Sequence, residues 1–308
     1  MSIFNVDVAV VGHFSIDSIF LPNKHALHVV LGGSATYTSL ILKRLDAIVS
    51  VISKVGGDFP KAYLWWLKEE GINLDGVVKV ENAQTTSFEL KYNADLSRRI
   101  LRLKNKAPPI NLEDLPESFR AKVVHVAPIA NETSYEVIDK LRNCAEILSI
   151  DPQGLVRNFD GEGHFTYSQL KNKHLLELVN IYKSSSKEIK AITNRSDIGS
   201  AVKAVHDYGV KIVIVTFGVK GAILSVEETK CKIPAYKTEK IVDPTGAGDV
   251  FIGGFLAEHV KGKDAFWCAC VGSAAASACV EAVGSTFQHD KTEIYRRANV
   301  LYEKGIKG

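Results

Sequence analysis

Asp243-Pro244-Thr245-Gly246-Ala247-Gly248-Asp249-Val250-Phe251 runs without a break into Ile252-Gly253-Gly254-Phe255-Leu256-Ala257, an apolar stretch of helical character. Glycines at 246 and 248 let the backbone turn sharply into that helix, whose first N–H groups have no acceptor within it and sit at its positive end. Such a terminus favours anions, and a phosphoryl group in transfer carries charge on its equatorial oxygens, so these donors stabilise the transition state more than the ground state. Gly246, Ala247 and Gly248 thus read as an anion hole.

Asp249 is electrostatically awkward there, because a carboxylate with an ordinary pKa of about 3.9 repels phosphate at neutral pH. A substrate hydroxyl held between Asp249 and the phosphoryl group resolves the conflict, the carboxylate taking the proton while the oxygen attacks in line. The plainer reading, an acid near a helix start, suits a lone Gly-x-Gly-Asp but not nine residues in this order between a strand region and a long apolar helix.

Outward from this motif, apolar runs of strand length alternate with helical segments: 6–11, 48–52, 123–126, 147–150, 178–182 and 212–216. The alternation predicts an α/β fold with a mostly parallel sheet covered by helices on both faces. Residues 34–45 and 59–70 read as helices, the second with Phe59, Tyr63, Trp66 and Leu67 on one stripe and Gly71 as its end. Two stretches break the alternation, 16–31 and 85–103, the latter with the polar turn Asn93-Ala94-Asp95. Together they are expected to form a small β-sheet lid on a single domain spanning 1–308, with Gly32-Gly33 as its hinge.

Composition narrows the function classes. The 308 residues are 46% hydrophobic and 24% charged, a globular balance. The 38 basic and 35 acidic residues leave a net charge of +3 without like-charge blocks, so nothing points to nucleic acid. Five cysteines (Cys144, Cys231, Cys268, Cys270, Cys279) lack zinc or redox spacing and read as reduced thiols of a cytoplasmic protein. The start reads as a strand rather than a signal peptide. The uncharged stretch 265–280 spans about 24 Å as a helix, short of a ~30 Å hydrocarbon layer, and reads as a core helix; no membrane role is expected.

The 243–251 motif resembles the signature of the ribokinase-like (PfkB) sugar and nucleoside kinases, and the resemblance extends from Gly12 to Gly284. It implies a three-layer α/β/α sandwich with a β-lid, and ATP with Mg2+ as phosphoryl donor. Within it, Asp17 after the first strand, with Ser15 nearby, is expected to bind acceptor hydroxyls, for which a carboxylate accepting two hydrogen bonds is suited. Gly32 and Gly33 match the paired glycines where the backbone approaches the substrate; Tyr37 stands where many members carry Asn. Val55-Gly56-Gly57-Asp58 is expected to end a strand and cap the following helix.

In the family an Asn-x-x-Glu motif organises magnesium through water. Here Glu188 keeps the acid and Ser185 replaces the amide; the rival alignment on Asn194 is rejected because the motif should end a buried strand. One outer-sphere carboxylate suffices for Mg2+. Thr216, Gly218, Lys220 and Gly221 occupy the turn that lies along the nucleotide, with Thr245, Gly246 and Gly248 at its phosphates. The adenine is expected beside the helix of small residues 269–280, whose composition equally suits tight helix packing. Asp243 and Thr245 stand where some members help bind a monovalent cation such as K+.

Asp151-Pro152-Gln153-Gly154-Leu155-Val156-Arg157 and Lys183-x-Ser185-x-x-Glu188 resemble the inositol and nucleoside kinase branch, which implies a small hydroxyl-bearing acceptor: polyol, cyclitol or nucleoside. Arg157 is a candidate phosphate ligand, a surface arginine being the plainer reading. Two other readings fit less well. A catalytically silent sugar or nucleotide sensor of the same fold is disfavoured by Asp249 with its glycines. A dinucleotide oxidoreductase lacks its Gly-x-Gly-x-x-Gly turn after Val11. An exposed lid leaves room for a homodimer through it.

Overall fold

The computed structural model describes residues 4–22, 27–97 and 99–306. Residues 23–26 and 98 of the expected lid, and 1–3 and 307–308 of the expected domain, lie outside them.

The chain runs β1 (Phe4–Val11), β2 (Ser15–Phe20), β3 (Leu27–Gly32), α1 (Ser34–Arg44), β4 (Val49–Gly56), α2 (Lys61–Glu69), β5 (Asn73–Val80), β6 (Ser87–Tyr92) and β7 (Arg99–Asn105). It continues through β8 (Phe119–Val126), α3 (Tyr135–Arg142), β9 (Ala145–Ile150), β10 (Arg157–Phe159), β11 (Phe165–Tyr167), β12 (Ile181–Ser185), α4 (Ser186–Thr193), α5 (Ile198–His206) and β13 (Ile212–Thr216). β14 (Ala222–Val226), β15 (Thr229–Ile233), α6 (Ala247–His259), α7 (Ala265–Cys279) and α8 (Lys291–Ile306) complete it.

Among the described residues the main sheet has nine strands in the order β15-β14-β13-β12-β9-β8-β1-β4-β5. Every pair from β13 to β5 is parallel, while β14 and β15 pair antiparallel to their neighbours. Alternation along each strand sends its apolar residues to two cores. Ile212 and Ile214 of β13 join α1, α6, α7 and α8 on one face; Val213 and Val215 join α3, α4 and α5 on the other. The chain leaves β1 toward β4 and β5, then returns to β8 on the other side of β1. Strand order therefore reverses between β1 and β8, where ligands of open α/β sheets bind at the carboxyl ends.

The lid is a separate four-stranded sheet, β3-β2-β6-β7, with β2 and β6 parallel and the outer pairs antiparallel. Ile19, Phe88, Leu90 and Leu101 pack with Ile129 and Ala130, which follow β8, in a third small core. β3 passes into α1 through Gly33 alone, at φ 86°.

Two local expectations need correction. The strand placed at 178–182 begins at Ile181 and ends at Ser185, because Lys173–Leu178 is a 3-10 helix burying Leu175 and Leu176. Asp58 does not cap α2; its Oδ1 accepts from the backbone N and Oγ1 of Thr85, both at 2.7 Å, and the N-cap is Pro60. The small residues of α7 serve helix packing in part: a Cβ on Gly254 of α6 would lie 3.1 Å from Gly272 Cα and 3.2 Å from Ala275 Cβ.

Candidate active site

The carboxyl ends of the parallel strands, the start of α6 and the underside of the lid enclose one cleft. It brings together Ser15, Asp17, Gly33, Arg157, Thr245, Gly246 and Asp249 from the expected residues, with Ser34, Tyr37, Phe88, Leu90, Arg99, Leu101, Ile129 and Gln153. The cavity between them has a volume of about 50 Å3.

Asp249 lies in the first turn of α6, whose N-cap Gly246 takes φ 77°. No side chain fits at Gly246, since a Cβ would come within 2.3 Å of the Tyr37 ring. Val250 N reaches Gly246 O at 2.8 Å and Ala247 N reaches Pro244 O only at 3.4 Å, which leaves the N–H groups of Gly248 and Asp249 available to an anion. The loop is clasped by Asp243, whose carboxylate accepts from Thr245 N (2.9 Å), Thr245 Oγ1 (2.6 Å) and Gly284 N (2.9 Å).

Gln153, which follows β9, is a site residue that sequence reading did not single out. Its Nε2 donates to Asp249 Oδ1 at 3.0 Å and to Ser34 Oγ at 2.7 Å, while its Oε1 accepts from Arg157 Nη2 at 2.5 Å. Arg157 is not a surface residue: it is 5% exposed, donates to Ile129 O and stacks on Phe165, so within the described residues it aims Gln153 at Asp249.

Lys183 is the second omission. Two residues beyond Ile181 on the same face of β12, it points under the start of α6 and pairs with Asp151. A Cβ on Gly248 would meet Lys183 Nζ at 2.7 Å. Burial opposes its charge, but the carboxylates of Asp151, Asp249 and Glu188 outweigh it and raise the ammonium above its ordinary pKa. Removing one partner of such a buried pair costs about 3–5 kcal/mol, although the pair itself need not stabilise the fold relative to apolar packing.

On the lid side, Asp17 is 4% exposed and accepts from Ser15 Oγ at 2.7 Å. Burial pushes its carboxyl up to about 7. Gly32 is a glycine for Asp17's sake, since a Cβ there would lie 2.1 Å from Oδ2. Tyr92 at the end of β6 joins lid to anion loop through a 2.8 Å contact between its hydroxyl and Thr245 Oγ1.

Of the expected magnesium and nucleotide residues, Thr245 and Gly246 line the cleft, while Glu188, Thr216, Gly218, Lys220 and Gly221 lie outside its lining, at the ends of β12 and β13. Glu188 closes a capping box on α4: Ser185 N donates to its Oε2 at 2.7 Å, and Ser185 Oγ accepts from Glu188 N. Ser185 therefore ends a buried strand and starts a helix, whereas Asn194 is the left-handed C-cap of α4. Thr216 Oγ1 contacts Ser184 O, and Gly218–Lys220 is an exposed 3-10 turn ending at Gly221. Among the described residues no group of three or more His, Cys, Asp or Glu side chains forms a metal cluster, and no helix is long and apolar enough to cross a membrane.

A family model described as pfkB family carbohydrate kinase matches residues 5–292. A cytidine kinase of Thermococcus kodakarensis is 30% identical over 84% of this chain and 90% of its own length. An inositol 3-kinase of Arabidopsis thaliana is 27% identical over 95% and 81%. The nucleoside kinase of Methanocaldococcus jannaschii, described as an archaeal member of the ribokinase family, superposes with a TM-score of 0.77 at 26% identity, covering 96% of this chain and 98% of its own. These relatives are kinases rather than silent sensors, and the matched span takes in both cores, the lid and the Asp249 helix start. The chain belongs to the pfkB family of carbohydrate kinases.

Proposed function

We propose that this kinase transfers the γ-phosphoryl group of ATP to a hydroxyl of a nucleoside, with Asp249 as general base. The observation that carries the reading is Asp249 itself, set in the first turn of α6 and held by Gln153 inside a cleft that also contains Asp17. Asp17 and Ser15 hold acceptor hydroxyls; Asp249 takes the proton of the attacking one. The N–H groups of Gly248 and Asp249 receive the developing phosphoryl charge, with Gly246 and Ala247 shaping the turn. Thr216, Gly218, Lys220 and Gly221 lie along the nucleotide, and Thr245 near its phosphates.

Phe88, Leu90 and Leu101 of the lid, with Ile129 opposite, give the acceptor an apolar wall. A flat base covers such a wall well, whereas a cyclitol with hydroxyls on every carbon leaves some without partners there. Glu188 suits Mg2+ as an outer-sphere ligand, because one oxygen accepts from Ser185 N and the other has no hydrogen-bond partner among the described residues. The ion would neutralise donor phosphate charge when bound. Asp243 clasps the loop, its oxygens accepting three hydrogen bonds, and with Thr245 stays the candidate for a monovalent cation such as K+. The free thiols suit the cytoplasm, and the exposed Val29 and Ile100 of the lid suit a second copy.

The test is a transfer screen with Mg2+ and either ATP or pyrophosphate over nucleosides, cyclitols and sugars. Nucleosides with ATP are expected to give the highest kcat/KM, and Asp249→Asn to lower kcat by about 10³-fold while nucleotide binding persists. Near-normal turnover in that variant refutes the base assignment; a cyclitol preference refutes the acceptor.

A further inference from the structure

We infer that Lys183 is a catalytic residue of this kinase, its ammonium group touching a non-bridging oxygen of the transferring phosphoryl group beside Gly248. The inference rests on the active-site reading above, which makes the start of α6 the anion hole.

Three observations carry it. The first is position: an ideal Cβ on Gly248 would lie 2.7 Å from Lys183 Nζ, so the space in front of that glycine is shared between the ammonium and whatever anion the helix start receives. The second is burial. Lys183 is 4% exposed in a strand otherwise made of Ile181, Tyr182, Ser184 and Ser185, and a lysine is rarely placed so without a task. Pairing with Asp151 does not supply that task, since apolar residues of similar volume commonly stabilise a core as well.

The third is charge. Asp151, Asp249 and Glu188 all act on this one ammonium. During transfer the acceptor oxygen forms its bond to phosphorus, and the bond to the donor's bridging oxygen breaks with its electron pair left on ADP. The hydroxyl proton passes to Asp249. Asp249 thereby loses its negative charge as the phosphoryl oxygens are drawn toward the anion hole, and Lys183, which keeps its protons throughout, turns its attraction from the carboxylate to them. Its interaction is strongest in the transition state, as catalysis requires.

The experiment compares wild type, Lys183→Met, Asp151→Asn/Lys183→Met and Asp249→Asn in single turnover per folded chain, with ATP affinity and Tm measured alongside. Lys183→Met is expected to lower kcat by about 10²–10³-fold, as loss of one anion-hole donor does, with ATP affinity changed less than about tenfold. The double variant removes both charges; it is expected to recover Tm but not turnover. Recovery of turnover in it, or kcat within about threefold of wild type in Lys183→Met, overturns the inference. If neither methionine variant folds, the wild-type chain decides. Its Lys183 ¹⁵Nζ resonance, assigned by its loss in Lys183→Arg, must move with MgADP and aluminium fluoride, and an unmoved resonance overturns the inference. A wild type without transfer, or Asp249→Asn with it, sinks the active-site reading itself and is seen before any Lys183 variant is compared.

Discussion

The two walls of the cleft are built differently. The scaffold wall is a set of buried polar fixings at strand ends: Asp243 clasping the loop, Lys183 on Asp151, and Gln153 shared between Asp249, Ser34 and Arg157. The lid wall is mostly apolar, rests on a small core of its own and leaves Leu27, Val29 and Ile100 exposed on its outside. Fixed polar geometry serves chemistry, whereas an apolar wall serves selection by shape. Substitutions on the scaffold wall should therefore appear in kcat, and those on the lid wall in acceptor KM.

The strongest attempt to break this division is Gly248→Val. Its side chain would occupy the space where Lys183 Nζ now stands 2.7 Å from an ideal Cβ, and kcat should fall by about 10²-fold with acceptor KM nearly unchanged. Steady-state kinetics showing a KM effect alone would erase the distinction.

Asp17 sharpens it from the other side. Asp17→Asn should lower kcat/KM for the acceptor by about tenfold or more, because charge-assisted hydrogen bonds are roughly twice as strong as neutral ones. Burial has pushed this carboxyl up to about 7, so the ionised, acceptor-binding form grows as pH rises through 7. Wild-type kcat/KM should climb to that pH and level off, and Asp17→Asn should lose the climb. The raised pKa contributes stability below the ordinary value of 3.8 that is lost as pH rises toward 7. Thermal melts at pH 8 should accordingly find Asp17→Asn no less stable than wild type.

The smallest effect belongs to Tyr92→Phe, which removes the contact between lid and anion loop. One neutral hydrogen bond corresponds to about a two- to tenfold rise in acceptor KM with kcat nearly constant. A larger loss in kcat would show that this contact shapes the anion hole instead.

Much of this arrangement was legible in the residues. Alternating apolar runs marked five of the parallel strands and overlapped the start of a sixth, the 243–251 motif marked the helix start, and the turn at 93–95 marked a lid hairpin. The strand at 178–182 was misplaced because Leu178 closes a 3-10 helix, Lys173–Leu178, that buries Leu175 and Leu176, and the strand starts only at Ile181. Gln153, Lys183 and Arg99 went unassigned for another reason. Gln153 meets Ser34 across 119 positions and Asp249 across 96, and only the folded sheet brings such segments together. Arg157 was a candidate phosphate ligand with a surface arginine as the plainer reading, and its burial was hidden because it depends on the partners that receive it, here Gln153 and Ile129. A lysine inside the apolar strand before Ser185 was the available signal for Lys183.

β3 enters α1 through a single residue, and α1 reaches α6 through Thr38 Oγ1 on Asp249 O and through Ile41 against Gly253. No slack segment separates the small sheet over the cleft from the start of α6. Each ligand should then alter the affinity for the other, and by the same factor in both directions, so the two halves of the reaction communicate before any bond is made.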